Sequence, residues 1–207
     1  MSKWIRRGTV PALCLVALGA AGCGEYVREG RGPVTAVVSM LEAAPGSTPE
    51  ELGGTLHSDV ITFVKKTIGG VEVQVPTIFN DIGSATLLVD LKNPSLTEPS
   101  TVNQVTFTRY RVEYIRADGR NHPGVDVPYS FDSAVTVTSI PGGPATAGFE
   151  LVRHTAKTEA PLVALANNLQ LISTIARVTF YGKDHAGNDV QAVGQIGVTF
   201  GNFGDPD

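Results

Sequence analysis

The chain has 207 residues, 16 Lys and Arg against 20 Asp and Glu, and a formal charge of −4. An acidic balance without any Lys/Arg run argues against a nucleic-acid ligand and against a polybasic membrane patch. Its length allows one domain, two at most, and a chain of this size buries about 70% of its unfolded surface, so it needs no staple.

Lys3, Arg6 and Arg7 form a basic start, residues 9–21 are apolar, and small residues follow. That is the three-part layout of a secretory signal, and the run falls short of the roughly 20 apolar residues that span a bilayer. The segment is therefore expected to be cleaved. Ala20-Ala21-Gly22-Cys23 resembles the lipobox of bacterial lipoproteins, in which small residues precede a cysteine that is acylated and becomes the first mature residue. The family prefers leucine where this chain has Ala20, with Leu18 two residues earlier. Leu13, before Cys14, is too large for a rival site. An ordinary secretion signal with an incidental cysteine is the alternative, and the residues around Arg6-Arg7 do not otherwise fit twin-arginine export. The resemblance implies a covalent lipid (palmitate) on Cys23 as the membrane contact. Because Gly24 is not aspartate, it also implies the outer membrane in a two-membrane bacterium. Without residues 1–22 the count is 13 basic against 20 acidic residues, a charge of −7, and no cysteine is left for a disulfide or a thiolate zinc site.

Residues 23–33 read as a lipidated tether: GEYVREGRGP is charged, glycine-containing and aperiodic, and could hold a domain up to about 30 Å from the bilayer. Residues 34–207 are expected to form one domain, with an internal sub-boundary to consider at 92–101. Residues 34–41 are apolar on both faces, as in a buried strand, with a short helix as the alternative. Residues 59–64 and 71–75 are half-buried strand candidates. In 85–91, Ala85, Leu87, Val89 and Leu91 share a face, and Asn93-Pro94-Ser95 with Pro99 ends the strand. Residues 105–116 change phase between Phe107 and Tyr110, which predicts a β-bulge near Thr108-Arg109. After the Asp118-Gly119 turn, Val125, Val127, Tyr129 and Phe131 alternate, and Pro128 makes this an edge strand.

Residues 134–140 and 149–152 flank a Pro-Gly-Gly-Pro break at 141–144. Residues 161–171 are the helical candidate, with Leu162, Leu165, Ala166 and Leu169 at helical spacing and a buried loop as the rival. Residues 172–181 and 190–200 form the clearest hairpin. Nine or ten strands with one short helix predict an all-β, antiparallel sandwich.

Residues 178–190, VTFYGKDHAGNDV, resemble the closing hairpin of bacterial immunoglobulin-like and fibronectin-like envelope modules, which implies that topology. Residues 85–94, ATLLVDLKNP, are similar to the strand-then-Asn-Pro pattern of water-stress-type sandwich domains. As a whole the chain resembles uncharacterised envelope lipoproteins, a family that implies no biochemical activity.

His57, His122, His154 and His185 lie in separate segments, without metal-ligand spacing. No nucleophile elbow, S-x-x-K or phosphate loop occurs. Asp118, Asn121, His122 and Asp126 fill one loop, and Asp184, His185, Asn188 and Asp189 another. Asp118, Asp126, Asp184, Asn188 and Asp189 are calcium candidates, since hard cations take six to eight oxygens, though Asp and Asn also simply make turns. Tyr110, Tyr114, Tyr129 and Phe131 could stack a sugar, but their alternation is that of a core face.

The function expected first is a lipid-anchored, non-catalytic envelope β-sandwich presenting a surface to an envelope protein or polysaccharide, with an edge strand open to strand addition. The alternative is an envelope hydrolase or carbohydrate-acting protein whose acids lie among Asp118, Asp126, Asp184 and Glu113.

Overall fold

The computed structural model describes residues 32–92 and 100–203. The leader, Cys23, the tether as far as Arg31 and the break from Asn93 to Pro99 lie outside the described residues.

Ten strands follow in order: β1 Val34–Ala44, β2 Thr55–Asp59, β3 Thr62–Ile68, β4 Val71–Thr77, β5 Asp81–Leu91, β6 Val105–Ile115, β7 Phe131–Ser139, β8 Pro144–Val152, β9 Ile172–Asp184 and β10 Asp189–Gly201. One short helix, α1 His154–Lys157, and a 3₁₀ turn, Leu162–Asn167, lie between β8 and β9. The sheets are β1-β5-β8, β2-β10-β9-β6-β7 and the separate hairpin β3-β4. The fold is thus an all-β sandwich. Its ladders are antiparallel except that β2 runs parallel to β10, a departure from a purely antiparallel sandwich. Residues on either side of 92–101 build the same two sheets.

Alternation explains the layers. Ala85, Leu87 and Val89 of β5 and Phe149 and Leu151 of β8 face Phe107, Tyr110, Val112 and Tyr114 of β6, Phe180 of β9 and Val198 and Phe200 of β10, in one buried cluster. Each such Val, Leu or Phe side chain contributes about 1.5–3 kcal/mol on leaving water. The cross-sheet fit is edge-to-face: Phe149 lies 5.2 Å from Tyr110 and 5.4 Å from Phe180, ring centre to ring centre. The Tyr114 hydroxyl donates to the Leu151 carbonyl at 2.7 Å. The β9-β10 ladder runs in continuous register from Asp189 opposite Lys183 to Phe200 opposite Ile172.

The bulge in β6 lies where the phase change predicts it, with the register shifting between Phe107 and Arg109 against both β7 and β9. Thr108 and Arg109 both face solvent, and Tyr110 returns to the core. Gly182 sits opposite Phe107, where a Cβ would lie 2.5 Å from the Thr106 carbonyl oxygen and 2.9 Å from Phe107 Cα. Those are backbone atoms, which cannot swing aside. Gly182→Ala is expected to cost about 1–3 kcal/mol as overpacking, read as a lower urea midpoint at unchanged m-value.

Four expectations need correction. Val125 to Phe131 is not an edge strand. Gly124, at φ +76°, turns the chain, the amides of Val125 and Asp126 bond back to the His122 carbonyl, and strand pairing starts only at Phe131. Residues 161–171 form no α-helix but the 3₁₀ turn, in which Leu162 and Leu165 are buried and Ala166 packs against the core, while Leu169 is 96% exposed. β1 is not buried on both faces: it is an edge strand, and Val37 and Met40 are exposed. β3 and β4 are strands, but most of their residues are exposed, because nothing in either large sheet covers the hairpin.

Candidate functional site

The two Asp-rich loops lie at opposite ends of one strand. Asp184 is paired with Val105 at the start of β6, whereas Asp118 follows Ile115 at its end. Eleven residues at about 3.3 Å each hold the loops roughly 30 Å apart. No cleft can therefore be shared by Asp118 and Asp184.

Within each loop the carboxylates serve the chain itself. Asp118 takes bonds from Arg116 at 2.7 Å and Arg120 at 2.8 Å; these guanidinium groups, Arg116 foremost, hold its carboxyl well below the usual range. Asp126 meets His122, from ring Nδ1 and backbone amide, at 3.3 Å, and the Asn121 side chain accepts the Arg116 amide at 2.7 Å. Asp184 accepts the Asn188 amide at 2.8 Å and the Asn188 side chain at 2.7 Å, closing the β9-β10 turn around Gly187 at φ +89°. Asp189 pairs with Lys183 at 2.7 Å, and Glu113 with Arg111 at 3.0 Å. Among the described residues no three His, Cys, Asp or Glu converge on a metal position.

The histidines stay dispersed. His57 meets the Phe203 ring edge-on, His154 bonds Asn80, and the His185 amide bonds the Gln104 carbonyl. Of the four aromatics that could stack a sugar, Tyr110, Tyr114 and Phe131 are buried. Tyr129 is exposed, over Gly124.

Sequence reasoning missed two features. The first follows from the bulge. With Thr108 and Arg109 both turned outward at the bulge, the outer face of β6 and β9 carries a groove of about 350 Å³, lined by Thr108, Arg109, Tyr181, Lys183, His185 and Asp189. The Arg109 guanidinium lies 3.9 Å above the Tyr181 ring, a cation-π contact, and is bonded to Asp132. Arg111 extends the array to Asp132 at 2.7 Å and to Ser130 at 3.0 Å. Glu113, then Asp132, hold its guanidinium more firmly charged. Such exposed pairs contribute little stability. The groove presents two cations, a carboxylate, hydroxyls and a ring, and its volume falls within the range of small-ligand sites.

The second is a buried ion pair. Lys157 Nζ of α1 lies 2.9 Å from Asp81 Oδ1, both side chains 1% exposed. Ser58 Oγ donates to Asp81 Oδ2 at 2.6 Å and the Gly46 amide to Oδ1 at 3.1 Å. Burial, outweighing Lys157 and these donors, pushes the Asp81 carboxyl up. The signal was absent because Asp81 opens a strand and Lys157 stands in a polar stretch, 76 residues apart.

Among the described residues no helix is long and apolar enough to cross a membrane. Comparison with protein-family models, curated proteins and solved structures yields no match to this chain.

Proposed function

We propose that this chain is a lipid-anchored, non-catalytic β-sandwich of the cell envelope, held by acyl chains on Cys23 and presenting a binding surface near the membrane. The observation that carries the reading is the apolar run 9–21 ending in Ala20-Ala21-Gly22-Cys23. Gly24 at the second mature position favours the outer membrane where there are two. The groove beside Arg109 and Tyr181 supports a binding role, with an envelope protein or polysaccharide as the occupant its mixed polar and aromatic lining suits. β7, at the edge of the five-stranded sheet, takes the place of residues 125–131 as a site for strand addition. The hydrolase reading gains no paired acid and base from loops so far apart.

Metabolic labelling with a palmitate analogue tests the anchor. Label is expected on the wild-type chain and lost in Cys23→Ser, which moves to the soluble fraction. A wild-type chain that takes up no label in a lipoprotein-competent bacterium sinks the proposal.

A further inference from the structure

We propose that Asp81 and Lys157 condense into an intramolecular amide, a covalent cross-link between β5 and α1. An ammonium has three donors, yet among the described residues Lys157 Nζ makes a single hydrogen bond, to Asp81 Oδ1. Two charged N–H groups would stay unpaired in a site where both side chains are 1% exposed, which is costly for an ion. In the proposed step one ammonium proton passes to the carboxylate as the bond forms, so that the product carries neither charge. Burial acts on Asp81 in the same direction.

The surrounding donors suit the step. The Nζ lone pair forms a bond to Asp81 Cγ, and the charge that develops on Oδ1 faces the Gly46 amide, 3.1 Å away. The Ser58 hydroxyl donates to Oδ2 at 2.6 Å and so stabilises the departing hydroxyl, which takes up the second proton that Nζ gives up. The Cγ–Oδ2 bond breaks and water leaves. One amine and one acid become one secondary amide and one water, without oxidant or co-reactant. In the product the carbonyl Oδ1 keeps the Gly46 amide, and both buried charges are gone. The link would join residues 76 apart in a chain whose cysteines, Cys14 and Cys23, lie outside this domain.

The test is the intact mass of the purified wild-type protein under denaturing conditions. The expected value is one water below that of the mature sequence with its lipid, and protease digestion is expected to release a branched peptide joining Asp81 to Lys157. Lys157→Arg is expected to restore the full mass. Ser58→Ala is expected to leave, at matched times, a cross-linked fraction reduced tenfold or more. A wild-type protein at full mass overturns the proposal, as does a loss of water without the branched peptide, which would mark a succinimide instead.

Discussion

Lys157→Met is expected to lower stability at neutral pH by about 3–5 kcal/mol, because it leaves the Asp81 carboxyl buried without its cation. Methionine fills the lysine stem's volume but forms neither an ion pair nor an amide, so the loss is expected whichever state the native pair adopts. The pH dependence identifies the cause. In the variant Asp81 keeps Ser58 and Gly46 as donors and loses the Lys157 attraction, leaving burial to hold its pKa above the unfolded value of about 3.9. A carboxyl with a raised folded pKa binds its proton more tightly folded than unfolded. Its contribution therefore favours folding below about pH 4 and is lost as pH climbs through the folded pKa. The deficit against wild type should be smallest near pH 4 and grow toward pH 7 in urea titrations. The double variant Asp81→Asn with Lys157→Met holds no ionisable group at the site and is expected to be more stable than Lys157→Met alone at neutral pH, with a flat profile. A single variant less than about 1 kcal/mol below wild type, or with a pH-independent deficit, would contradict this account of the site.

The same pair shows where sequence reasoning stops. Strands β5, β6, β9 and β10 were legible because every second residue is apolar and a slip of one residue would turn that whole set into water; even the bulge was visible, as the change of phase between Phe107 and Tyr110. Alternation reports only that one face of a strand resembles a core. It does not report whether a second layer exists, so Val71, Val73 and Val75 read as half-buried although β4 has no covering sheet. Nor does it see backbone competition: Val125, Val127 and Tyr129 alternate as well as any strand, but Gly124 and two prolines, Pro123 and Pro128, commit the segment to a turn. The Asp-rich loops were correctly located and are far apart because β6 runs its full length between them. The groove could have been inferred from the bulge that turns Thr108 and Arg109 outward beside Tyr181, had the pairing been known. The Asp81-Lys157 contact had no local signal, since it is made by tertiary packing alone.

The second large effect belongs to Tyr110, where the two sheets meet. Its ring lies 6.2 Å from Phe131, 5.2 Å from Phe149 and 6.1 Å from Phe180 between centres, and its hydroxyl accepts the Glu150 amide of the opposite sheet at 3.2 Å. Tyr110→Ala removes the ring from a site 2% exposed and is expected to cost about 3–5 kcal/mol, as a cavity bordered by three rings cannot close. Tyr110→Phe keeps the ring and strands the Glu150 amide, a cost of about 1–3 kcal/mol. The difference separates packing from the cross-sheet bond. Burial also raises the phenol pKa above its usual value, ahead of every other influence. The folded state then holds the phenolic proton more tightly, so that contribution is intact below about pH 10 and is lost above it. Wild type should therefore lose stability above about pH 10 more steeply than Tyr110→Phe, whose smaller number of buried phenols leaves less to ionise on unfolding. Parallel alkaline profiles for the two proteins would mean that the hydroxyl is solvated, and would transfer the whole stability effect to the ring.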